Sequence, residues 1–221
     1  MKARLTHCLL LATGLLLAGQ ANADDAARSL LQAAGTGDLA KVDKLLEQGV
    51  SVDVRDAEGN TPLLLATAGN QVEVARRLID AGADVNLQNR MQDSPYLLAG
   101  ASGHQQILEL TLAHGADLRS TNRFGGTALI PACERGHVDT VRTLIAAGVD
   151  LDHVNKLGWT CLLEAVLLGD GGLAHQRIVD LLIAADADLD LPDKDGVTPL
   201  QHAEQRGQSA IAARLRAAGA R

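Results

Sequence analysis

Thr61-Pro62-Leu63-Leu64-Leu65-Ala66 opens a segment that runs through a second apolar stretch and closes on Ala81-Gly82-Ala83-Asp84-Val85-Asn86. The chemistry of this string is that of a helix, a sharp turn and a second helix. Thr61 offers a hydroxyl to the free N–H groups of a helix start, and Pro62 supplies a helical φ where no N–H partner is needed. Leu and Ala at helical spacing form a face that must be covered. Asn70 stands where the first helix needs a left-handed residue to stop. The second helix carries the apolar pair Leu78-Ile79 and ends at Gly82. Related strings begin at Ser94, Thr127 and Thr160, each thirty-three residues after the last, and again at Thr198-Pro199-Leu200. A weaker copy spans Ser29 to Asp53. A unit this short buries no core by itself, so a fixed period means that neighbouring units stack.

The third copy reads Ser94-Pro95-Tyr96-Leu97-Leu98-Ala99 and the fourth Thr127-Ala128-Leu129-Ile130-Pro131-Ala132. Together with the closing Gly-Ala-Asp strings, they resemble the ankyrin repeat, whose pattern is T-P-L-H-x-A with a terminal G-A-D-V-N. The resemblance covers nearly everything after the first 23 residues. It implies an all-α ankyrin-repeat solenoid of about six helix pairs with short hairpin fingers, in repeats near 24–55, 56–88, 89–121, 122–154, 155–192 and 193–221. The family's His in T-P-L-H is replaced by Leu64, Leu97, Ile130, Leu163 and Gln201.

Other positions carry the stacking logic. Gly37, Gly103, Gly136, Gly169 and Gly207 are expected to end first helices in the left-handed conformation, and Asp186 replaces the glycine that ends a second helix. Asp56, Asn89, Asn122, Asn155 and Asp193 begin tight fingers that lead into the next repeat. Pro131 falls inside a first helix and is expected to bend it. The interval from Thr160 to Thr198 is thirty-eight residues, with the surplus at Gly169 to His175. Such an insertion is a tolerated surface loop or part of a binding face. Leu46, Ile79, Leu112, Ile145 and Ile183 share one position of the second helix, which in the last copy is Arg216. A terminal repeat needs a solvated outer face, so Leu200 to Ala220 is read as the C-terminal cap.

Residues 1–23 have another character. Lys2 and Arg4, the apolar run Leu9 to Leu17 and Ala21-Asn22-Ala23 match a secretory signal peptide cut after Ala23, and the run is too short to span a bilayer. The expected location is therefore periplasmic or secreted, as a monomer with no integral membrane segment after cleavage. The chain has 20 Lys and Arg against 27 Asp and Glu, and loss of Lys2 and Arg4 with the leader moves the formal net charge from −7 to −9. An acidic protein without basic clusters does not bind nucleic acid through phosphates. Cys133 and Cys161 sit at different depths of first helices in neighbouring repeats. That offset argues against a bridge, and two small buried thiols are expected.

Little catalytic chemistry is visible. By the family pattern His104 and His137 are structural, while His114, His153, His175 and His202 are scattered without metal-ligand spacing. Glu164 and His202 share a helix position in adjacent repeats and are expected to form a weak surface pair. No nucleophile elbow or phosphate-cradling loop occurs. We expect neither an enzyme nor a cofactor.

A binding surface is better marked. In ankyrin stacks the finger tips and the exposed side of the first helices line a concave face. Three successive tips are apolar: Met91, Phe124 and Leu157, preceded by Arg90, Arg123 and Lys156. Trp159 lies in one of these fingers, and Leu167 and Leu168 extend the apolar patch along a first helix. These side chains either pack on neighbouring fingers or form a docking patch, and aromatic anchors beside Arg favour docking. The expected function is a protein–protein interaction module that binds a partner protein through finger tips and groove. The alternative is a periplasmic immunity or inhibitor protein that blocks a toxin or hydrolase. Secreted bacterial ankyrin proteins similar to this chain at Leu157-Gly158-Trp159-Thr160 and Gly169-Asp170-Gly171-Gly172 are sometimes encoded beside catalases, a resemblance that implies support of peroxide defence.

Overall fold

Twelve helices and no strands make up residues 23–221, the part of the chain that the computed structural model describes. The basic start, the apolar run and the cleavage motif up to Asn22 lie outside the described residues. Contacts divide the chain into two units, one ending at Ala83 and the other spanning Asp84–Arg221.

The first unit holds α1 (residues 23–36), α2 (Leu39–Glu47), α3 (Pro62–Ala68) and α4 (Val72–Asp80). Here α4 packs on both α3 and α2. The second unit holds α5 (Pro95–Ser102), α6 (Gln105–Ala113), α7 (Leu129–Glu134), α8 (Val138–Ala147), α9 (Cys161–Leu167), α10 (Leu173–Ala184), α11 (Pro199–Gln205) and α12 (Ser209–Ala217). Its first helices α5, α7, α9 and α11 pack in one row, and its second helices α6, α8, α10 and α12 in another. Leu and Ala at helical spacing fill the space between the rows: Leu129, Leu144, Leu163, Ile178 and Leu182 are fully buried. The all-helical ankyrin architecture is therefore the observed one.

Local chemistry explains the starts of four first helices. The hydroxyls of Thr61, Ser94, Thr160 and Thr198 each accept a hydrogen bond from the N–H three residues on, at 3.1–3.4 Å. Thr127 departs from this expectation. Its buried hydroxyl has no hydrogen-bond partner, and α7 starts one residue later, after Ala128. The cause is Pro131, which has no N–H to give to the Thr127 carbonyl, so the first helical hydrogen bond is lost. Pro131 thus lies in the first turn of a shortened six-residue helix, where it is tolerated, rather than bending the middle of a longer one.

The fifth repeat corrects two further expectations. Gly169 is not left-handed; that role passes to Gly171, at φ +70°. Gly169 is required for space instead, since a Cβ there would run into the Ala165 carbonyl oxygen and the His175 ring. Part of the surplus is helix rather than loop, because α10 has 12 residues where α6, α8 and α12 have 9 or 10. The insertion also moves a rung of the stack. In the fourth repeat the His137 ring covers Gly103, and in the fifth the His175 ring, reaching in from the first turn of α10, lies against Gly136. Asp186 is left-handed, φ 59°, as its position demands. At the far end Arg216 is exposed and pairs with Glu204 at 2.6 Å, the solvated outer face of a capping repeat.

Cys133 and Cys161, expected to be too far apart, form a disulfide between α7 and α9. Their Cα atoms are 5.5 Å apart, inside the bridging range. The row of first helices is closely packed. Between α5 and α7 the approach is such that a Cβ on Gly100 would lie 2.8 Å from the Ala128 Cβ.

Candidate groove on the second unit

Each finger is closed by its own first residue. Asn122 Oδ1 accepts from the N–H groups of Phe124 and Gly126 at 2.9 and 3.1 Å, and Asn155 Oδ1 from those of Leu157 and Trp159 at 2.9 and 3.1 Å. Asn89 and Asp193 do the same in their repeats. An Asx side chain that caps its own loop holds the residue two positions on at the tip. Met91, Phe124 and Leu157 therefore project outward, and 46–49% of each is exposed.

Phe124 and Leu157 border a cavity of about 390 Å³ on the second unit. Leu168, also 49% exposed, closes one side from just beyond the end of α9, and Ile130 and Pro131 of α7 contribute apolar floor. Arg123 lines it too, with its guanidinium 4.6 Å above the Phe124 ring and 3.9 Å from the Asp93 carboxylate. Of the residues picked out by sequence, Arg123, Phe124, Leu157 and Leu168 thus come together. Arg90, Met91, Lys156, Trp159 and Leu167 do not line the cavity. Trp159 and Leu167 are half-buried, while Arg90 and Lys156 are exposed. Lys156 is engaged within the stack: its backbone N–H donates to the Phe124 carbonyl at 2.9 Å and its ammonium to the Arg123 carbonyl at 3.0 Å.

The floor is polar in a way that residue-by-residue reading missed. Glu164 on α9 is only 6% exposed and lines the cavity. Its Oε1 accepts from Asn155 Nδ2 at 2.8 Å. Burial, aided by the charge of Glu134, raises its pKa to about 7. Asp93 is also raised by burial, against the opposing pull of Arg123 and Arg135. The expected Glu164–His202 pair does not form, because each side chain turns to the finger of its own repeat. His202 Nε2 meets Asp193 Oδ2 at 2.7 Å, nine residues back, as Glu164 meets Asn155 nine residues back. That common spacing of nine was the available signal for both pairs.

Three further histidines have structural partners. His153 Nε2 lies 2.7 Å from the Gly125 carbonyl, and His114 Nδ1 lies 2.8 Å from that of Leu110. His175, 8% exposed, faces Asp170 Oδ1 through Nδ1 at 2.8 Å and the Glu134 carbonyl through Nε2 at 2.9 Å. It thereby pins the insertion to the preceding repeat. Hydrogen bonds from the Gly172 N–H and from His175 hold the Asp170 carboxyl below its usual range. Among the described residues no cluster of His, Cys, Asp and Glu suits a metal ion, and no helix is long and apolar enough to cross a membrane.

Comparison with known proteins agrees with this architecture. The ankyrin repeat family profile, which spans three copies of the repeat, matches residues 8–89, 30–122 and 96–193. An ankyrin repeat domain from Acinetobacter baumannii is 57% identical, with a TM-score of 0.84 over 87% of this chain and 98% of that one. The ankyrin repeat protein EF0377 is 46% identical, with a TM-score of 0.83 over 86% of this chain and 97% of that one. The ankyrin repeat domain of Bcl-3, a member of the IkappaB protein family, is 28% identical, with a TM-score of 0.78 over 87% and 86%. No match was found among curated proteins. Ankyrin repeats are protein–protein interaction modules and in general not enzymes, and the chain belongs to the ankyrin repeat family.

Proposed function

We propose that the chain is a periplasmic or secreted adaptor that holds one protein partner in the groove of its second unit. The observation that carries this reading is the exposure of Phe124, Leu157 and Leu168 around a single concavity. Apolar side chains that a fold leaves half in water around a cavity are the desolvated centre of an interface, with charged groups at the rim. Arg123 lines that rim, and Arg90 and Lys156 are exposed on the neighbouring fingers with Met91, while Trp159 and Leu167 lie half-buried outside the cavity. Binding is equilibrium docking to a preformed surface, without turnover. The buried Cys133–Cys161 disulfide supports an oxidising compartment. A role in peroxide or stress defence rests on the resemblance at Leu157 to Thr160 and Gly169 to Gly172.

Replacement of Phe124 and Leu157 by Ser tests the reading. The variant is expected to melt within a few degrees of the parent and to lose cross-linking to the partner recovered from periplasmic extract. A collapse of the melting temperature, with capture by the remaining folded protein unchanged, would assign both side chains to the packing of the fingers instead.

A further inference from the structure

The cavity floor carries more anionic demand than the chain itself meets. Glu164 Oε1 is held by Asn155, and among the described residues no donor reaches Oε2. Glu134 lines the same cavity from α7, and among the described residues its carboxylate forms no hydrogen bond or ion pair. Arg123 and Arg135 line the cavity as well, against the carboxylates of Asp93, Glu134 and Glu164, which leaves one carboxylate in excess. Arg135 donates to the Ala101 carbonyl at 2.7 Å, and Arg123 is stacked on Phe124 beside Asp93. Two carboxylates thus share a partly enclosed site whose walls are Phe124, Leu157 and Leu168. A carboxylate in such surroundings is costly unless a cation comes to it.

We infer that this cavity is the anchor pocket for one lysine or arginine side chain of an extended partner segment. The ammonium or guanidinium lies between Glu134 and Glu164, its methylenes run along Ile130 and Pro131, and apolar neighbours in the segment rest on Phe124, Leu157 and Leu168. Charge complementarity selects this occupant: an acidic anchor would add to a lining already one carboxylate in excess, and an aliphatic one would leave Glu134 and Glu164 without a partner. The raised pKa of Glu164 agrees with a carboxylate that lacks a cation. This inference deepens the docking reading above and rests on it.

The experiment pans phage-displayed random peptides on the intact, disulfide-bonded chain and keeps clones that no longer bind Phe124→Ser. A retained peptide is then synthesised with its Lys or Arg and with norleucine in that place. Both forms are titrated calorimetrically against the parent, Glu164→Gln and Glu134→Gln. Norleucine is expected to weaken binding to the parent by about tenfold or more, and by much less to either Gln variant, the signature of a direct charge contact in a double-mutant cycle. Groove-dependent peptides without a basic residue, or a norleucine form that binds equally well, would overturn the anchor and leave the docking surface standing. Absence of any Phe124-dependent clone would overturn both. Should Glu164→Gln fail to fold, Glu134→Gln carries the cycle alone.

Discussion

Cys133 near the end of α7 and Cys161 at the start of α9 are joined by a disulfide that ties two neighbouring first helices together beneath the groove. Glu134 follows one cysteine directly and Glu164 lies a turn beyond the other, so the bond ties together the two helices that carry these carboxylates. The cross-link closes a short loop, its ends separated by 28 positions in sequence. Loops of this size yield about 3 kcal/mol of stabilisation. Cys133→Ser with Cys161→Ser is expected to lower unfolding free energy by about 2–4 kcal/mol in urea titration. Adding reductant to the parent should bring it to the same value and leave the variant unchanged.

Glu164 makes stability depend on pH in an unusual direction. Its folded pKa lies near 7 against an ordinary 4.5, so the folded state holds a proton that the unfolded chain releases. The stabilisation is fully present below about pH 4.5 and is lost as the pH rises through 7. Glu164→Gln keeps the shape and removes the titration. Relative to the parent it should gain about 1–3 kcal/mol between pH 4.5 and 8, read from urea midpoints at several pH values.

The two threonine positions of α7 and α9 separate capping from mere burial. Thr160 accepts from the Leu163 N–H at 3.2 Å, and Thr160→Ala is expected to cost about 1 kcal/mol. Thr127 is equally buried but its hydroxyl has no partner. Thr127→Val keeps the volume and removes an unsatisfied polar atom, so it should be neutral or stabilising. Equal losses at both sites in thermal melts would contradict the pairing described here.

The insertion depends on two glycines for different reasons. Gly169→Ala brings a Cβ against the Ala165 carbonyl and the His175 ring, and should cost well over 1 kcal/mol while loosening the contact of His175 with Glu134. Gly171→Ala places Ala at φ +70°, where its Cβ also meets the Gln208 side chain, and should cost about 1 kcal/mol or more. Hydrogen exchange at the start of α10 distinguishes the two, with faster exchange expected for the Gly169 variant.

The period of thirty-three, the capping Thr and Ser residues and the Asx-led fingers were legible because they are local. A hydroxyl bonds three residues along its own chain, and Asn122 or Asn155 closes a loop within four residues, so short strings determine helix starts and the tips that carry Met91, Phe124 and Leu157. Distances across the stack are another matter. Whether Cys133 reaches Cys161 depends on how closely α7 and α9 approach, and Glu164 acquires its perturbed carboxyl only when Glu134 and the apolar walls surround it. Pro131 illustrates the boundary: its missing N–H was visible and costs α7 its first helical hydrogen bond, yet the idle, buried Thr127 hydroxyl is seen only in the folded stack. Helical pairs and their order were therefore written in the chain, while the disulfide, the chemistry of the cavity and the rung supplied by His175 were decided by packing, because they depend on separations between residues that local sequence does not constrain.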